Sequence, residues 1–325
     1  MLHIPPDAVD RALDYPSLVE RLRAAFRSGA VQPTRHHHTI ERAEGTPTTL
    51  LLMPAWTDFL ARRDDGKDGF IGVKIVTVSP DNNQRAKPAV MGVYLLLNGH
   101  TGEPLALIDG QRLTLWRTAA ASALAAEWLA RPDASRLLMI GAGALAPFLI
   151  RAHAAVRPIR SVRIWNRTWS KAQALAMTLS AEGFEAEAVD SLPAALAWAD
   201  IVSSATISAT PLVLGALLKP GCHVDLVGAF TPDLRESDDD AVQRARLYVD
   251  TRAGALKEAG DIVQPLRSGA IEHADIVADL HELTRGEKPG RRSAEEITLF
   301  KSVGAALEDL AAGILVYERT SPGRS

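Results

Sequence analysis

The sequence predicts an α/β protein in which a doubly wound parallel sheet is inserted between an N-terminal, mostly-β domain and a closing C-terminal helix. Three observations lead there. From about residue 34 to 110 apolar residues recur with the spacing of strands. From 136 to about 290 short apolar runs alternate with stretches of helical period, the pattern of a parallel sheet covered on both faces. At the start of that alternation the apolar run Leu137–Ile140 stops at Gly141-x-Gly143-x-x-Ala146, and a helical period begins there.

A helix is expected over 7–29, with Asp7 as cap, Val9, Leu13, Leu18, Leu22 and Phe26 on its apolar face, and Gly29 as stop. Pro16 should split it. Strands follow at Thr48–Met53, Gly69–Ser79 and Val90–Asn98, then a Gly-His-Thr-Gly turn and Pro104–Asp109. An alanine-rich helix, about 114–130, ends before Pro132-Asp133. Later strands are read at Ile201–Ala205, His223–Gly228 and Leu247–Asp250, with Asp275–Ile276 opening a final helical turn. Glu295–Tyr317 reads as one helix through Ile297, Phe300, Val303, Leu307, Leu310 and Ile314, and the polar tail after Glu318 should fray. The expected division is residues 1–115 plus 295–325 against 116–294, with chemistry in the cleft between them.

The glycine turn points to a ligand. Gly141 permits a tight turn, Gly143 with Ala144 and Leu145 lets the backbone approach a pyrophosphate, and Ala146 keeps helix and strand close. Free N–H groups of the helix N-terminus then face phosphates. A second strand, Val162–Trp165, ends on Asn166-Arg167-Thr168, with Lys171 one turn further on. This is the order of a Rossmann-type dinucleotide unit. Enzymes of the unphosphorylated cofactor place Asp or Glu at that strand end. Arginine there grips a 2′-phosphate instead, so NADP(H) is the preferred cofactor and NAD(H) a possible one.

The chain has 325 residues, is 47% hydrophobic and 23% charged, and carries a net charge of −3, which gives no electrostatic reason to expect nucleic acid or anionic membrane as a partner. The single Cys222 excludes an intramolecular disulfide and a cysteine-rich zinc site, and reads as a small buried residue. Met1-Leu-His-Ile-Pro-Pro-Asp7 lacks the pattern of a signal peptide, and no apolar stretch reaches the length of a membrane span, so a cytoplasmic protein is expected. His36-His37-His38 is not expected to bind metal, because adjacent strand residues alternate faces and only His36 and His38 share one. A place for one of them beside Arg35 is left open. The acidic run Glu236–Asp240 is read as a solvated helix start.

Several segments in order resemble the ornithine cyclodeaminase/mu-crystallin family. They are Gly72-Val-Lys74, Leu113–Ser122, the Gly141 turn, Val227-Gly-Ala-Phe-Thr-Pro232 with Arg235-Glu236, and Ile297–Gly304. The resemblance implies a homodimer formed through the β domain and a nicotinamide cofactor in the second domain. It also implies interconversion of amino, imino and 2-oxo acids. Arg35 and Lys74 match residues that hold the substrate carboxylate, and burial beside Arg35 would let Lys74 act as acid or base at the imine nitrogen. Arg117, read as opening a helix, matches a contact to the cofactor's phosphates. Thr206, Val227 and Phe230 fall on the nicotinamide side, Ser302 near the nicotinamide, and Val303 near the substrate.

The departures are as informative. Cyclodeaminases carry an aspartate where this chain has Phe230, and a phenyl ring can neither accept a proton nor orient a water. Asp233 lies close by but is read as a helix cap. Leu234, Leu145 and Ala89 replace a lysine, a glutamine and a threonine of the family pattern. Mu-crystallin and related imine reductases also lack the aspartate. The expectation is therefore an NAD(P)H-dependent oxidoreductase of a small imino or amino acid, of the Δ1-pyrroline-2-carboxylate type. Alternatives are an ornithine cyclodeaminase, an alanine-type dehydrogenase and, from another class, a non-catalytic binder of NADP(H) and a small ligand.

Overall fold

The computed structural model describes residues 1–59, 69–85 and 87–321; most of the tail expected to fray, Pro322–Ser325, lies outside them. The chain divides into two compact units, Met1–Arg117 with Ala306–Ser325, and Thr118–Ala305.

The first unit is built on β1 (Leu2–Ile4), β2 (His36–Ile40), β3 (Thr48–Trp56), β4 (Phe70–Val78), β5 (Val90–Asn98) and β6 (Pro104–Asp109), in the order β1-β6-β5-β4-β3-β2. β2 to β6 form an antiparallel meander, and β1 adds in parallel to β6. The side-chain period of two sets Gly72, Lys74 and Val76 of β4 on one buried face, and Tyr94 and Leu96 of β5 beside them. The helix Ala306–Thr320 covers β3 to β5 and packs on the helix Tyr15–Ser28. The N-terminal helix does break, but at Leu13-Asp14 rather than at Pro16. Asp14 caps the second piece by accepting from Ser17 N at 2.8 Å, and Pro16 sits in its first turn, where a missing N–H is harmless. Asp7 lies inside the first turn of Pro6–Ala12 and is not its cap.

The second unit holds β7 (Arg136–Ile140), β8 (Ser161–Trp165), β9 (Glu185–Ala188), β10 (Ile201–Ser204), β11 (His223–Leu226), β12 (Ala245–Val249), β13 (Ile276–Asp279) and β14 (Ile297–Lys301). All eight pair in parallel, in the order β13-β12-β14-β11-β10-β7-β8-β9. The chain runs outward from β7 through β8 to β9 and then returns to β10 on the other side of β7. That reversal is the switch point at which such sheets bind ligands, outside the carboxyl ends of the strands. The helix that follows the glycine turn, Ala146–Val156, is tied to the sheet by a buried polar group. His153 Nε2 lies 3.1 Å from Asp225 Oδ2, which also accepts from Ser203 Oγ at 2.8 Å. Cys222 is buried, as expected.

Further readings need correction. Residues 297–301 are not helical: Ile297, Thr298, Leu299, Phe300 and Lys301 are all buried in β14, between β11 and β12. A run buried on both faces shows no alternation, so its apolar spacing mimicked a helix that begins only at Ala306. The boundary consequently falls after Ala305, not after 294, and β14 belongs to the second unit. Asp275 closes a single 3₁₀ turn, and Ile276 opens β13, a strand. Finally, the helix Gly110–Leu129 starts earlier than expected, which places Arg117 in its interior rather than at its opening. Among the described residues no helix is long and apolar enough to cross a membrane.

Candidate active site

In the first unit the sheet buries a lysine and arranges anions around it. Lys74 Nζ lies 2.7 Å from Asp309 Oδ2, with both side chains almost wholly buried. Asp309 Oδ1 in turn accepts from Arg117 Nε at 3.1 Å, and Arg117 Nη1 donates to Glu308 Oε2 at 2.7 Å. Glu308 and Asp309 come from the first turn of the helix Ala306–Thr320, and Arg117 from the helix Gly110–Leu129. Arg117 is thus held in ion pairs with Glu308 and Asp309. Burial pushes the Lys74 ammonium down from 10.5 to about 8, against the pull of Asp309; Arg117 and Arg35 push it further down. Tyr94, opposite Lys74 on β5, is fully buried. Its ring fits because Gly72 and Gly313 have no side chain: a Cβ on either would overlap it.

In the second unit the glycine turn has the form a dinucleotide requires. Gly141 adopts φ +105°, and a Cβ there would stand 2.8 Å from Ala205 O. Gly143 faces open space, with nothing within 4 Å of where its Cβ would be, and Gly143 and Ala144 are exposed while Leu145 is half-buried. Such a cradle allows a ligand to approach the backbone closely. Asn166 braces the turn: its Oδ1 accepts from Ala142 N at 3.2 Å, and its Nδ2 donates to Thr168 O at 2.9 Å. Arg167, Thr168 and Lys171 are exposed beside it.

Thr206, Val227, Ser302 and Val303 all follow the carboxyl ends of neighbouring strands, β10, β11 and β14. Ser302 N donates to Leu226 O at 3.1 Å. Asp250 Oδ2 accepts from Val303 N and Gly304 N, both at 2.7 Å, and so fixes the turn after β14. Phe230 is 47% exposed. Asp233 caps no helix; the helix Asp239–Arg244 is capped by Asp238, whose side chain accepts from Ala241 N at 2.9 Å. The acidic run is also only partly solvated, since Glu236 is fully buried. His36, His37 and His38 are all exposed, and no group of metal-binding side chains occurs among the described residues.

Sequence reasoning missed Asp309, Glu308, Tyr94, Asp250, Glu236, Asp261 and Lys301. An adjacent Glu-Asp inside an apolar helix was the available signal for the first two, because acidic residues on a buried face need a cationic partner.

Fold and site together define a dinucleotide-binding α/β protein with a separate β unit that buries a lysine–carboxylate centre. The chain belongs to the ornithine cyclodeaminase/mu-crystallin family, whose sequence profile matches residues 8–324. Within it, the chain is akin to the imine-reductase-like members that lack the cyclodeaminase aspartate. It is 42% identical over 291 residues to Δ1-pyrroline-2-carboxylate reductase of Paracoccus denitrificans, covering 86% of this chain and 89% of that one. The structure of Thermococcus litoralis Δ1-pyrroline-2-carboxylate reductase in complex with NADH and L-proline is similar, with TM-score 0.90 at 33% identity over 98% of this chain and 97% of that one. An archaeal alanine dehydrogenase dimer with bound NAD has TM-score 0.87 at 29% identity, over 98% and 95% of the two chains.

Proposed function

We propose that the protein is an NAD(P)H-dependent reductase of a small carboxylate-bearing imine, of the Δ1-pyrroline-2-carboxylate type. The observation behind this reading is the buried Lys74–Asp309 pair, together with a phenyl ring at position 230, where cyclodeaminases keep an acid. The reductases similar to this chain support it. The open Gly143 cradle and the braced turn at Asn166 fit a dinucleotide, which when bound supplies the hydride for the imine carbon. The remaining work falls to side chains. Arg35 and Lys74 hold the carboxylate, and Val303 lines the substrate. Lys74, poised near neutrality, gives the nitrogen its proton. Arg117 holds Asp309 in place through the hydrogen bond from its Nε, and is also assigned the family's contact to the cofactor's phosphates. Thr206, Val227, Phe230 and Ser302 form the wall on the nicotinamide side, with Phe230 excluding water. Gly141, Gly143, Ala144 and Leu145 receive the pyrophosphate, and Arg167, Thr168 and Lys171 the adenosine ribose end, with NADP(H) preferred. A homodimer accords with the dimer of the similar alanine dehydrogenase; we place its interface on the β unit, where the exposed Val90, Met91 and Val93 of β5 supply apolar surface.

The test is cofactor oxidation, followed by absorbance, with Δ1-pyrroline-2-carboxylate, run beside ornithine plus NAD⁺ assayed for ammonia. Imine-dependent oxidation without ammonia is the expected result. Ammonia and proline from ornithine without net cofactor change would overturn it.

The lysine also sets a pH dependence. Above about pH 8 it loses its proton, so kcat/KM should fall about tenfold per pH unit there. Stability should move the other way. With a folded pKa of about 8 against 10.5 in the unfolded chain, the unfolded state binds more protons between those values, so this group makes stability rise with pH across that window. Denaturant unfolding at pH 8 and pH 10 checks it: the rise attributable to this group should vanish in Lys74→Met.

A further inference from the structure

Behind the turn that presents Phe230 lies a set of buried charges that the proposed reaction does not use. Glu236 Oε1 accepts from Ser204 Oγ at 2.6 Å, Thr206 N at 2.7 Å and Thr206 Oγ1 at 2.8 Å. Asp261 Oδ1 accepts from Glu236 N at 2.9 Å and from Ser237 N and Oγ, both at 2.8 Å. Lys301, at the end of β14, pairs with Asp261 Oδ2 at 3.1 Å and donates to Gly228 O. All three charged residues are fully buried.

Burying ions costs several kcal/mol each before pairing, and apolar replacements of such sets are often no less stable. Stability alone is therefore a poor reason for this cluster. What it touches is more telling. Gly228 backs onto Thr206 so closely that a Cβ would overlap Thr206 O. Ala229 N donates to Thr206 O at 3.2 Å, and Val227 N and Gly228 N donate to Ser204 O at 2.8 and 3.3 Å. Ala229 has φ +47°, and among the described residues it is the one non-glycine residue in the left-handed region. Backbone strain of this kind persists only where the surroundings over-determine it.

We propose that Glu236, Lys301 and Asp261 are positioning residues that clamp the Gly228–Phe230 turn against the Ser204–Thr206 end of β10, so fixing the side chain at position 230. Glu236 holds the β10 side of the clamp and Lys301 the turn itself, and Asp261 joins the two. The functional part of this assignment rests on the reductase reading; the clamp itself does not. Burial, aided by Asp261, raises the Glu236 carboxyl, so glutamine is a close replacement that keeps the accepting oxygen.

The experiment compares Glu236→Ala and Glu236→Gln in the full-length protein, first by amide hydrogen exchange without ligands. In the alanine variant, exchange over residues 227–231 should rise about tenfold or more while β7 and β8 peptides stay protected. Glutamine should restore protection. With imine and NADPH, the alanine variant should lose up to about 10²-fold in kcat with cofactor affinity little changed. In a Phe230→Ala background the same change should cost much less, because the clamp acts through position 230. Unchanged exchange in the turn, or an equal rise across the whole sheet, would overturn the clamp. An additive loss of kcat in the Phe230→Ala background would overturn its action on the reaction. Should Glu236→Ala not fold, Ser204→Ala removes one bond of the clamp and should give a smaller rise confined to the same turn. If the unaltered protein fails to turn over the imine, the reductase reading falls and the exchange comparison still decides the clamp.

Discussion

Lys74→Ala is expected to lower imine reduction by about 10²–10⁴-fold, the range for losing a positioned acid or base, while leaving cofactor titration within about twofold. The separation follows from where the residue sits. Lys74 is in the first unit, on the buried face of β4, whereas the glycine turn and the exposed Arg167 belong to the second. Removing the ammonium takes away one of two cations bound to Asp309; Arg117 remains on its other oxygen, so the carboxylate is not stranded. Breaking a buried pair outright costs about 3–5 kcal/mol, and the surviving Arg117 contact should keep the loss at the lower end. Steady-state kinetics beside a fluorescence titration with NADPH checks both halves. A fully active variant would remove Lys74 from the mechanism, and a variant that has lost cofactor binding as well would show that the lysine acts through the fold.

The sequence could be read well wherever a local rule decides the outcome. The glycine turn declared itself because glycine suits a left-handed turn and close backbone approach; in the structure a Cβ at position 141 would press on Ala205, while position 143 faces open space. The place of Lys74 was legible from a charged residue inside an apolar strand and from the resemblance of Gly72-Val-Lys74 to the family. What escaped were partners brought together by tertiary contact. Asp309 is 235 positions from Lys74, and nothing local distinguishes it from an acidic residue favouring a helix N-terminus. The same rule misplaced Glu236, which belongs to a buried clamp although its neighbours Asp238 and Asp239 cap and open a helix as expected. β14 was lost for another reason. In the middle of a parallel sheet both faces are covered, and the alternation that identifies a strand disappears.

Arg167→Ala should weaken NADPH binding by about 10- to 100-fold and NADH binding far less, as befits loss of charge-assisted hydrogen bonds to a 2′-phosphate. Asn166, the residue at the tip of β8, is already used by the fold, with its oxygen on Ala142 N and its nitrogen on Thr168 O. It is not free to replace the acidic residue that reads a ribose 2′-OH. Arg167 and Lys171 are exposed and cationic at the same strand end, where a 2′-phosphate would be matched and a carboxylate is missing. The similar solved structures hold NADH or NAD, so fold alone does not confer a preference for the phosphorylated form. We assign discrimination in this chain to these two side chains. Titration of both cofactors into the two proteins isolates it. Equal weakening of NADPH and NADH would refute the 2′-phosphate role and leave Arg167 as part of a general attraction for a dinucleotide's negative charge.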